Sequence, residues 1–181
     1  MSDSKRNPLL FVIVTLLLFF SGAAGLIYEV IWTRILHYSF GGTEAAAATV
    51  LATFMGGMAL GGAIGGKFAS RFKRPIMVYG ILEIVIAIFG IIFTPLLYKL
   101  DVIYLITGPD PSPWVLTLLR FVAGVLIMLI PTVAMGATMP VLVHGFVDKT
   151  RAGKGIGILY FNNTFGAVAG PFVAGLAIIP P

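Results

Sequence analysis

The chain has 181 residues, of which 59% are hydrophobic and only 10% charged, with a mean hydropathy of +1.03. A soluble globular domain carries roughly 25% charged residues, so the composition excludes an ordinary water-soluble protein. The net charge of +5 does not indicate nucleic acid, because the basic residues fall in short clusters between apolar runs. With no cysteines there is neither a disulfide nor a thiolate metal site.

The predicted architecture is all-α: a polytopic membrane helix bundle with a short tail at 1–7 and a transmembrane domain over 8–181. A helix needs about 20 apolar residues to cross a hydrocarbon core of ~30 Å. Five segments meet this, near 8–37, 44–70, 75–98, 113–147 and 154–179. Lys5 and Arg6 before the first apolar run resemble a signal peptide. The run continues through Leu26, Ile27, Val30 and Ile31, longer than a secretory core, and reads as a retained span.

The first span carries Ser21, Gly25, Glu29, Thr33 and His37 at steps of four, which puts them along one helix face. Tyr28, Trp32 and Arg34 beside them read as membrane-interface anchors. Glu29 lies deeper than an anchor should. A charge at mid-membrane costs at least ~2.5–3.5 kcal/mol and faces protein or a water-filled cavity. The second span holds Gly57, Gly61 and Gly65 in one row and Gly62 and Gly66 beside it. Small residues so spaced let helix backbones approach, for packing within the chain, for a sliding contact or for dimerisation.

The third span buries Glu83, about 12 Å from its start at Pro75 by helical rise. It has no charged neighbour one turn away, so it is either neutral or met by another helix. Pro109, Pro111 and Pro113 mark a loop before the fourth span, which carries Arg120, either snorkelling to the interface or ion-paired, with Glu29 as a candidate partner. Pro131 and Pro140 in the same span each free a backbone carbonyl and are expected to kink the helix, with Thr132 and Thr138 available to satisfy the freed groups. The fifth span contains Asn162 and Asn163, suited to interhelical hydrogen bonds or to a ligand.

Nine of the twelve basic residues fall on one side if the spans alternate: Lys5 and Arg6; Lys67, Arg71, Lys73 and Arg74; Lys149, Arg151 and Lys154. The positive-inside rule makes that side cytoplasmic, with the C-terminus outside. An outside end at Pro180-Pro181 without a charged anchor leads to the expectation of a portion of a longer product. The seven carboxylates form no metal-ligand spacing, and no nucleophile triad or phosphate-binding glycine loop occurs. No metal, cofactor or catalytic residue is expected in this chain, and whether it belongs to an enzyme stays open.

Several segments resemble membrane-bound spermidine synthase-like proteins, also described as fused major-facilitator/spermidine synthase proteins. They are Ser21 to Arg34 (SGAAGLIYEVIWTR), Phe54 to Gly61, Tyr79 to Glu83, Pro131-Thr132 with Met135 to Pro140, and Leu159 to Ala167. Glu29, Trp32, Arg34, Glu83 and Asn163 fall on these motif positions. The resemblance implies a truncated major-facilitator half in a bacterial or archaeal plasma membrane. It also implies anchoring, or supply of a polyamine or related cation to a C-terminal soluble aminopropyltransferase-like domain. The candidate substrate residues are Glu29, Glu83, Arg120, Asn162 and Asn163. The alternatives are a half-size transporter pairing with a second copy of itself and a structural membrane subunit. Gly66 to Arg74 resembles a major-facilitator loop motif, with Ser70 where that motif has an acid and Lys73 where it has glycine.

Overall fold

The computed structural model describes residues 8–39, 44–97, 99, 112–147 and 152–178. The 1–7 tail, Gly41-Gly42, Pro109, Pro111, Lys149, Arg151 and Pro180-Pro181 lie outside them. The described residues form five α-helices: α1 (Pro8–Ser39), α2 (Glu44–Phe68), α3 (Pro75–Leu97), α4 (Pro113–Phe146) and α5 (Ala152–Ile178), with a 3-10 turn at Ala69–Arg71 between α2 and α3. Pro8, Pro75 and Pro113 each open a helix, where the missing N–H is one of the donors without an intrahelical acceptor. The Arg71 guanidinium lies 4.9 Å from the Phe68 ring centroid at the end of α2.

Four helical segments are long and apolar enough to cross a membrane: Leu9–Tyr38, Ala46–Arg71, Pro75–Leu97 and Pro113–Phe146. The fifth expected span is a helix of 27 residues that is not among them. Its Lys154, its Asn162-Asn163 pair and its glycines dilute the apolar run. α4 continues through both internal prolines.

Three contacts fix the relation of α1 to α3. Ser21 bonds Glu83, the Tyr28 hydroxyl lies against Gly90, and Trp32 bonds Thr94. All three pairs are 62 residues apart, so the two helices run parallel without a slip in register. On α1, Leu36 lies near Gly124 of α4 and Gly25 near Met135, so α1 and α4 are antiparallel. Gly57, Gly61 and Gly65 of α2 meet Thr132, Val133 and Ala137 of α4 in that order, so α2 and α4 are parallel. The bundle therefore alternates, and the basic turn Lys67 to Arg74 sits at the same end as the start of α1.

Two glycine seams hold helices at backbone distance. A Cβ added at Gly57 would overlap the Thr132 side chain, one at Gly61 the Val133 carbonyl, and one at Gly136 the Met58 backbone. In the second seam, Gly22 meets the Asn163 carbonyl, Gly166 the Phe19 carbonyl, and Gly170 Ala23. Phe19 and Phe165 extend it with ring centroids 5.8 Å apart. The row Gly57, Gly61 and Gly65 thus serves packing within the chain. A Cβ added at Gly62 would lie 3.7 Å from the Gly136 carbonyl oxygen, an ordinary contact, and one at Gly66 would enter open space.

The packed core is split by depth. Toward the end of α1, Trp32, Ile35 and Leu36 pack with Val50, Phe54, Leu97 and Met128. Toward its start, Val14 and Leu18 pack with Tyr79, Leu142, Phe146 and Leu159. Between the two lies a layer of small and polar residues around Gly25.

Candidate functional site

That middle layer contains a cleft of about 480 Å³ between α1, α2, α4 and α5. Glu29, Ser21, Asn163, Thr164 and Thr138 supply its polar wall, and Met55, Met58, Met135 and Met139 much of the remainder, with Phe54 and Tyr160. The close contacts of Gly22 with the Asn163 carbonyl and of Gly136 with the Met58 backbone draw α1 to α5 and α2 to α4 here. A larger hollow of about 740 Å³ is bounded, among the described residues, by α1 through Glu29, Thr33, Arg34, His37 and neighbours. It is the open flank of that helix. Glu29 borders both, so it stands at the mouth of the cleft.

Glu83 does not line the cleft. Its carboxylate accepts a 2.6 Å hydrogen bond from the Ser21 hydroxyl in the seam between α1 and α3. The Tyr79 hydroxyl lies beside both groups but is buried without a partner in hydrogen-bond geometry. Glu83 is therefore met by another helix through a neutral donor.

Arg120 is buried, at 8% exposure, which removes the snorkelling alternative. It also lies far from Glu29. Leu36 and Gly124 are level with each other; Arg120 is four residues outward of Gly124 and Glu29 seven inward of Leu36. At the helical rise these separations sum to about 16 Å along the bundle, so the suggested Glu29–Arg120 pair does not form.

Trp32 and Tyr28, expected as interface anchors, turn inward. Trp32 is 1% exposed, donates its Nε1–H to Thr94 Oγ1 at 3.1 Å and stacks on Tyr28 at 5.4 Å. Their reason is local: Gly90 leaves room for the tyrosine and Thr94 offers an acceptor. Arg34 does face outward, on the open flank. The adjacent asparagines separate. Asn162 donates to the Ile158 carbonyl of its own helix at 2.9 Å, while Asn163 faces the cleft.

Pro140 has no N–H, so the carbonyl of Gly136, four residues before it, lacks its helical donor. Gly136 lines the cleft. Thr138 bonds the Met135 carbonyl instead, and Thr132 those of Met128 and Leu129. The expected repair by the two threonines therefore falls on neighbours of the freed carbonyls. The methionines, the Ser21 donor and Thr94 were missed in sequence; their roles depend on facing helices and leave no spacing signal along the chain.

Among the described residues no group of three or more His, Asp or Glu side chains gathers as a metal site. No protein-family model, curated protein or solved structure matches this chain.

Proposed function

We propose that this chain is a membrane-spanning helical domain that holds a cationic amine in the cleft between α1, α2, α4 and α5. The observation that carries this reading is Glu29 at the mouth of a cleft between apolar helices that opens sideways past Met55 and Tyr160. An ionisable side chain within a membrane span marks a ligand or ion path by default. Glu29 and the Asn163 side-chain oxygen are acceptors on residues that line the cleft, and a protonated amine offers donors only. The resemblance to spermidine synthase-like membrane proteins supports an amine and gives the domain its task, anchoring or supplying substrate to an aminopropyltransferase-like domain. With the basic end cytoplasmic, the cleft lies between helices whose charged turns face inward.

The test is binding of a radiolabelled alkylamine and a radiolabelled diamine to the purified chain in lipid nanodiscs. Saturable binding that Glu29→Gln abolishes supports the reading. Binding unchanged by Glu29→Gln, or none by the intact chain, overturns it and leaves a structural subunit.

A second reading, a half-size transporter working as an oligomer, is favoured by the open flank of α1. Glu29, Thr33, Arg34 and His37 there would be costly against lipid and are satisfied by a second copy of the chain. Its mark is a dimer by mass in nanodiscs, with amine uptake into vesicles.

A further inference from the structure

Among the described residues the cleft wall carries one carboxylate, Glu29. Glu83, the second acid of the bundle interior, is turned into the α1–α3 seam and accepts the Ser21 hydroxyl. A linear polyamine brings several ammonium groups, and each one left unpaired in a dry interior costs several kcal/mol. One acid matches one positive charge.

The rest of the wall fits an apolar body. Met55 and Met58 from α2 face Met135 and Met139 from α4 across the same space, with Phe54 and Tyr160 beside them. These are four of the seven methionines in the chain. Methionine is unbranched and polarisable, and it adapts to ligands of different shape. An aromatic face near the charge adds a cation–π attraction. The volume of about 480 Å³ falls in the range of about 300–1,000 Å³ typical of small-molecule sites.

We propose that the cleft binds an amphiphilic monocation: a single ammonium or quaternary nitrogen at Glu29, with a bulky aryl or branched alkyl body on the methionine wall. This rests on the reading of the cleft as an amine site and narrows the ligand to one charge and a large apolar part. The methionine wall makes the site tolerant of body shape and strict about charge number.

The experiment uses the full chain in nanodiscs and a fluorescent aryl-pyridinium monocation as probe, with spermidine and a neutral isostere of the probe as competitors. The expected result is saturable binding that Glu29→Gln weakens at least about tenfold, as for loss of a close charge–charge attraction in a partly desolvated site. Met55→Ala with Met139→Ala weakens it by about threefold to tenfold, while leucine at both positions restores most of it. Neither competitor displaces the probe. Retention on size exclusion and the intrinsic Trp32 emission show that each variant is folded. Displacement of the probe by spermidine, with Glu29 required, overturns the monocation proposal and leaves the amine reading intact. Probe and spermidine binding that are both indifferent to Glu29→Gln overturn the two together.

Discussion

Ser21 donates its hydroxyl to Glu83 at 2.6 Å, and the spacing of 62 residues between them recurs in Tyr28–Gly90 and Trp32–Thr94. A register kept over three turns makes α1 and α3 one unit joined by side chains. Removing the donor should be felt at once: Ser21→Ala leaves the buried acceptor unmet and is expected to cost about 1–3 kcal/mol. Glu83→Gln keeps an acceptor oxygen for Ser21 and should be milder. Thermal melts in detergent separate the two.

The glycine seam between α2 and α4 makes a sharper contrast. Gly61→Val places a side chain into the Val133 carbonyl, whereas Gly66→Ala enters open space. Overpacking costs typically about 1–3 kcal/mol, and more against rigid backbone. The Gly61 variant should lose monodispersity on size exclusion while the Gly66 variant elutes and melts as the parent does.

Trp32 and Trp114, the two tryptophans of the chain, sit in opposite surroundings, at 1% and 85% exposure. A Trp114→Phe protein should therefore show blue-shifted emission resistant to acrylamide. Adding Thr94→Val removes the acceptor of the indole N–H, at a cost of about 1 kcal/mol, and should shift that emission. Emission near that of free tryptophan would place Trp32 at the surface instead.

Adjacent asparagines should behave differently in the amine-binding measurement. Asn163→Ala removes a polar group from the cleft wall and is expected to weaken binding about threefold to tenfold. Asn162→Ala deletes a bond to its own helix and should leave affinity unchanged.

The helices were legible because their signals are local. Length of apolar run, proline at a first turn and glycine at steps of four are properties of single segments, and the helix ends fall within two residues of expectation. What stayed hidden depends on two segments at once. Tyr28 and Trp32 near the end of an apolar run read as an aromatic belt, and only Gly90 and Thr94 across the seam turn them inward. The expectation for Arg120 left two outcomes because its burial depends on the helices around it. Glu29 and Glu83 both read as candidate substrate residues. The hydroxyl of Ser21, 62 residues from Glu83, separates them.

The placement of glycine also has a mechanical meaning. α2 with α4, and α1 with α5, touch backbone to backbone, and such seams tolerate almost no change in spacing. The cleft lies between these two plates and is walled by long, bendable methionine side chains, while the clusters around Trp32 and Leu18 join the plates on either side of it. Such side chains yield more readily than a backbone seam, so adjustment between the two helix pairs is expected at the cleft rather than within either plate.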